Sequence, residues 1–218
     1  CGKQHLATGR VGLEARRRVD NVPDGGEVVH SGVSDVADER LAEVEPDTDR
    51  MAEILDEQGK PRFIAITMMD KEQADFDKVL GQVNKAMHNR AVPIAYPFGS
   101  GPNFRGVVDI LDGKAYEFSG KDLKETAIPA DLAGAIEDAK NKLMEQAAEG
   151  DDELLEKYLE TLELSHDETL RGLRSGIAKG TTFPVIPVSA DSGKGVSLLT
   201  KLLAEYGPSP LDVAGPKK

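Results

Sequence analysis

Cysteine is almost missing: Cys1 is the only one in 218 residues, which excludes an intrachain disulfide and suits a reducing compartment. Tryptophan is absent and aromatic residues make up 5% of the chain. No apolar run approaches the roughly 20 residues of a membrane-spanning helix. Only 4 histidines occur, and His5, His30, His88 and His166 have neither metal-ligand spacing nor a cysteine partner. No G-x-S-x-G nucleophile motif is present. Positive charge is in deficit as well: 27 Lys and Arg face 39 Asp and Glu, a formal net charge of −12. Nucleic-acid phosphates are neutralised by a basic surface, so generic nucleic-acid binding is excluded. The basic cluster Arg16-Arg17-Arg18 reads as a solvated face.

What is present is an alternation of strand and helix patterns, enough for a domain with a real core. Residues 47–58 predict a helix with Met51, Ile54 and Leu55 on one face. Residues 62–67 predict a buried parallel strand, and residues 71–87 a helix with the stripe Phe76, Leu80, Val83 and Met87. Residues 92–96 predict a strand stopped by Pro97 and Gly99-Ser100-Gly101. Residues 104–111 and 114–118 predict a hairpin turning at Asp112-Gly113. Three helices follow over residues 131–148, 151–160 and 165–178, the last opened by the capping box Ser165 with Glu168. A strand over 183–188 and an amphipathic helix over 196–206 close the pattern. Residues 1–45 sustain no long apolar period.

Ligands of open α/β sheets bind beyond the carboxyl ends of the strands. Asp70, just past the strand ending at Thr67, is therefore placed to meet a ligand; a carboxylate can accept both the ring N–H and the amine of guanine. The competing reading makes Asp70 the cap of the following helix. Ser189 and Ala190 follow the strand over 183–188, where small residues let backbone N–H groups approach a base carbonyl. Gly2-Lys3 match the end of a phosphate loop, but Gln4 lacks the hydroxyl that would hold magnesium.

The densest signal is a resemblance. Met69-Asp70-Lys71-Glu72-Gln73-Ala74-Asp75-Phe76, Phe104-Arg105-Gly106-Val107-Val108-Asp109, Ile128-Pro129-Ala130-Asp131-Leu132, the acidic run from Asp151 through Glu160, and Val188-Ser189-Ala190 resemble the G domain of bacterial elongation factor G and its G′ insertion. The resemblance implies an α/β, P-loop GTPase-type three-layer domain with an inserted α+β subdomain. It implies a core over residues 1–90 and 183–213, an insertion over 91–182 and a linker over 214–218. It implies GTP or GDP with magnesium, a cytoplasmic setting, no membrane, and the ribosome as partner, with the ribosomal stalk protein as a contact of the insertion and RNA met only in that context. The nucleotide residues it implies are Gly2, Lys3, Gln4, Asp20, Thr67, Met68, Asp70, Ser189 and Ala190, with no residue placed as catalytic. The departures are specific. Asp20 opens Asp20-Asn21-Val22-Pro23-Asp24 in place of D-T-P-G, and Thr67 and Met68 stand where N-K-x-D has Asn and Lys. Weak binding and slow hydrolysis are the expectation. Because residues 1–45 show no core strand, segments of the family pattern are expected to be left out between Gly12 and Asp20 and between Asp38 and Val44. The alternatives are a non-hydrolysing ribosome-binding pseudo-GTPase and a release or ribosome-protection factor.

Overall fold

The computed structural model describes residues 46–119 and 122–208, so the expectations placed on residues 1–45 and 214–218 lie outside it. Helix α1, Pro46–Gln58, packs through Ala52 and Leu55, while Met51 and Ile54 stay 41% and 39% exposed. The apolar face expected from Met51, Ile54 and Leu55 is thus rotated. The cause is Arg62, which donates from Nη1 to the Ala52 carbonyl at 3.1 Å and pairs with Asp56, drawing that side of the helix inward.

Strand β1, Ile64–Ile66, is buried throughout. Helix α2, Phe76–Ala86, starts with the first residue of the apolar stripe and not at residue 71 as expected, because Asp75 caps it by accepting from the Lys78 N–H at 3.0 Å. Lys71 to Ala74 form turns instead, with the Lys71 N–H donating to the Met68 carbonyl at 3.1 Å. The single strand expected over 92–96 is two. β2, Ala91–Pro93, and β3, Ala95–Phe98, meet at a bend at Ile94. The Ile94 N–H donates to the Val185 carbonyl, and its own carbonyl accepts from the Ile110 N–H, both at 3.1 Å. One residue thus belongs to two sheets.

The first sheet is parallel, in the order β1-β7-β2, with β7, Phe183–Pro187, at its centre and fully buried. Residues 91–93 therefore pair beside β7, although they open the range expected to be insertion. The second sheet is antiparallel, β3-β4-β5-β6, with β4 Gly106–Asp109, β5 Lys114–Ser119 and β6 Asp122–Thr126. The expected hairpin is present, turning where Gly113 takes a φ of +64°, a conformation glycine adopts without steric cost. β6 was not anticipated: Asp122, Lys124, Glu125 and Thr126 are exposed, so it carries no alternating apolar signal.

The helices α3 Ala133–Glu149, α4 Asp152–Thr161 and α5 His166–Lys179 follow, and the expected capping box opens α5. α6, Val196–Tyr206, closes the described chain. One apolar cluster runs through both sheets and includes Ile66, Val83, Ile94, Phe104, Leu143, Leu173, Phe183 and Leu202. Each large side chain in it contributes about 1.5–3 kcal/mol by leaving water. A smaller cluster joins Phe98, Val108, Ala115 and Ile136.

The amino ends of the three parallel strands are tied together. Asp56 pairs with Arg62, which precedes β1, and with Arg90, which precedes β2, the latter at 2.5 Å. The two guanidinium carbons lie 4.2 and 4.7 Å from the ring centre of Phe183, the first residue of β7. Burial opposes ionisation of Asp56, but the two arginines outweigh it and hold the carboxyl below its ordinary range.

Candidate functional site

The carboxyl ends of β1 and β7 are neighbours because the strands are parallel and adjacent. Their pairing continues into the loops: the Val188 N–H donates to the Ile66 carbonyl at 2.8 Å, and the Met69 N–H to the Val188 carbonyl at 3.3 Å. The loop carrying Thr67, Met68 and Asp70 is thus joined to the loop carrying Ser189 and Ala190. The exposed pair Lys71–Asp191, at 3.4 Å, links them again.

Within the first loop, Thr67 and Met68 are half-buried and Met69 is buried. Met68 takes a φ of +60°, a left-handed conformation that costs a non-glycine residue about 1 kcal/mol. Asp70 is half-buried, yet its Oδ1 is shielded from solvent and has no hydrogen-bond partner among the described residues. The reading of Asp70 as the cap of the next helix is overturned, since Asp75 fills that role.

In the second loop Ser189 is fully buried and Ala190 exposed. The Ser189 Oγ accepts from the Ser192 hydroxyl at 2.7 Å. The Ser189 N–H donates to the Lys194 carbonyl at 2.9 Å, and the Gly193 N–H to the Ala190 carbonyl at 3.2 Å. These bonds fold the loop into a tight closure that leaves Ala190 at its surface. Lys71, Asp191, Ser192 and Lys194 were not singled out from the sequence. They are ordinary polar residues: Lys71 and Asp191 meet only because the two loops do, Ser192 bonds within its own loop, and Lys194 reaches the Phe104 carbonyl.

Gly2, Lys3, Gln4 and Asp20 lie outside the described residues. Among those described, no group of three or more His, Cys, Asp or Glu side chains could hold a metal ion. The chemistry left open at Asp70 is that of an acceptor. A buried acceptor without a donor costs about 1–3 kcal/mol, and a base edge carrying two N–H donors would satisfy it. Adenine presents no such edge, because its ring nitrogen at that position is itself an acceptor.

A second charged group lies on the antiparallel side. Asp109 is 1% exposed, and burial pushes its carboxyl up. Lys201 of α6 lies 3.8 Å from it and 3.5 Å from Asp112, which also meets His166 Nε2 at 3.1 Å. The bond to Asp112 raises the His166 imidazole above its usual value. A groove between α2 and α3, lined in part by Asp77, Asn84, Arg90, Asp138 and Glu149, shares no residue with the two loops. No helix among the described residues is long and apolar enough to cross a membrane.

Comparison with known proteins gives three findings. The family described as elongation factor Tu GTP binding domain matches residues 19–209. A Thermotoga maritima protein described as elongation factor G-like protein is 35% identical over 170 residues, covering 78% of this chain and 24% of its own length. A crystal structure of a Thermus thermophilus protein matches with a TM-score of 0.71 at 27% identity, covering 78% of this chain and 26% of that one. The chain therefore spans about a quarter of the length of each of these two relatives.

Proposed function

The chain belongs to the elongation factor Tu GTP-binding domain family and is a G domain of the elongation factor G-like type; from that premise we propose that it binds guanine nucleotide between the loops after β1 and β7. The observation that carries this is the shielded Oδ1 of Asp70, without a partner among the described residues, beside the Ser189–Ala190 loop. In this reading the Asp70 carboxylate accepts from the ring N–H and amine of guanine. The N–H of Ala190, at the loop surface, faces the base carbonyl, and the buried Ser189 fixes the loop. Thr67 and Met68 line the same site without the amide and the stacking cation of the family pattern. Each missing contact weakens binding by about 1 kcal/mol, so affinity is low. Gly2, Lys3, Gln4 and Asp20 are the proposed phosphate-side residues. Bound magnesium would neutralise phosphate charge there, and Gln4 offers it no hydroxyl.

The division proposed is a core of residues 1–90 and 183–213 with residues 91–182 as the G′ insertion, its first strand paired into the core sheet. The whole factor acts, on this reading, in ribosomal translocation in the cytoplasm, with the insertion meeting the ribosomal stalk protein. Phosphoryl transfer in such enzymes depends on positioning and electrostatic stabilisation, so lost donors lower its rate directly.

GTP turnover by the purified chain, alone and with ribosomes, tests this. Slow turnover that ribosomes raise, together with co-sedimentation, is expected. Co-sedimentation with no turnover identifies the ribosome-binding pseudo-GTPase instead. A chain that neither pellets with ribosomes nor turns GTP over contradicts the proposal.

A further inference from the structure

One short turn touches both base-flanking loops. Gly101, at a φ of +57°, lies so close to the first loop that a Cβ there would sit 3.0 Å from the Lys71 carbonyl oxygen and 3.2 Å from the Glu72 Cα. Three residues on, the Phe104 carbonyl accepts from Lys194 Nζ at 2.8 Å. Phe104 is fully buried and packs edge-on against Phe118, ring centres 5.0 Å apart, so its carbonyl is held on a rigid support. Lys194 is also the residue whose carbonyl takes the Ser189 N–H. An ammonium donating to a carbonyl is a charge-assisted bond, about twice as strong as a neutral one. The contact holds the second loop by the very residue that closes it.

We infer that the turn from Gly101 to Phe104 braces the guanine site, with Lys194 as a positioning residue that sets the Ser189–Ala190 loop and Gly101 as the seat of the Asp70 loop. The inference rests on the assignment of Asp70, Ser189 and Ala190 to the base. Its consequence is regulatory. A partner that shifts the β3–β4 connection releases both loops at once and loosens the nucleotide. By reciprocity, bound nucleotide stiffens that connection.

The test uses the whole 218-residue chain and the variants Lys194→Met, Lys194→Arg and Gly101→Ala. Amide exchange is followed without nucleotide, and release of a fluorescent GDP is followed separately. In Lys194→Met the Ser189 and Gly193 amides exchange about tenfold faster while those of α2 and α3 keep their protection, and GDP leaves about tenfold faster. Lys194→Arg restores both. Gly101→Ala speeds exchange at Lys71 and Ala74. Unchanged exchange at Ser189 in Lys194→Met overturns the brace, as does faster exchange over the entire chain, which would make Lys194 a residue of general stability. Faster exchange with unchanged GDP release overturns the regulatory consequence. If the unmodified chain holds no GDP, the assignment of the base site fails by itself, and the exchange data still decide the brace.

Discussion

The two ends of the parallel sheet treat their carboxylates in opposite ways. At the amino end, both oxygens of the Asp56 carboxylate are paired, one with Arg62 and one with Arg90, whose guanidinium groups lie against Phe183. At the carboxyl end, one oxygen of Asp70 is shielded without a partner among the described residues, and Met68 holds a left-handed backbone. The same three strands supply both ends, so strand chemistry does not account for the contrast. A carboxylate whose oxygens are paired serves folding, and a shielded oxygen left open makes sense when something else completes it. On the proposed reading, the paired carboxylate serves the fold and the open one the nucleotide.

The largest expected effect lies at the clamp. Asp56→Asn leaves Arg62, 3% exposed, without its carboxylate and lowers stability by about 3 kcal/mol, measured by urea unfolding, with GDP affinity of the folded fraction unchanged. The pH dependence has a fixed sign. The Asp56 carboxyl is held below its ordinary value of 3.8, so its contribution is present above that value and lost as pH falls through the lowered one. An Asp56→Asn protein as stable as the parent would erase the contrast between the two ends.

A smaller effect is expected at Met68. Met68→Gly removes the left-handed cost but adds freedom to the unfolded chain, for a net gain of about 0.5 kcal/mol. A loss of stability in thermal unfolding would show that the Met68 side chain contributes more than its backbone costs.

The smallest effect tests the antiparallel side. The His166 imidazole is raised above 6.5 by its bond to Asp112, so the stabilisation is full below that value and disappears as pH rises through the raised one. The side chain is 46% exposed, and solvent reduces the effect to a few tenths of a kcal/mol. His166→Gln should therefore lower the unfolding midpoint at pH 5.5 and leave it unchanged at about pH 9. Equal losses at both values would mean that packing, and not charge, is what His166 contributes.

Elements with strong periodicity or punctuation were legible in the sequence. The Ser165 capping box, the Asp112-Gly113 hairpin and the apolar run at 183–187 all form as their chemistry dictates. Elements decided by tertiary contact were not. The strand over 92–96 bends because Ile94 bonds to two sheets, and α1 turns because Arg62 reaches its backbone. β6 pairs through its backbone and packs a single apolar side chain, Leu123, against the core, while its other four residues are exposed and polar and carry no pattern. At the site, Asp70 and Ser189 could be picked out because each follows a buried strand. Lys194 could not, since its partner, Phe104, is far away in the chain and contributes only a carbonyl.

Calorimetric titration of the chain and of Asp70→Asn with GDP and ADP tests the central claim most directly. The parent should bind GDP weakly but in preference to ADP, and Asp70→Asn should remove that preference, a loss of about tenfold or more, without loss of stability. Submicromolar GDP binding that Asp70→Asn leaves untouched would contradict the account and place the base elsewhere.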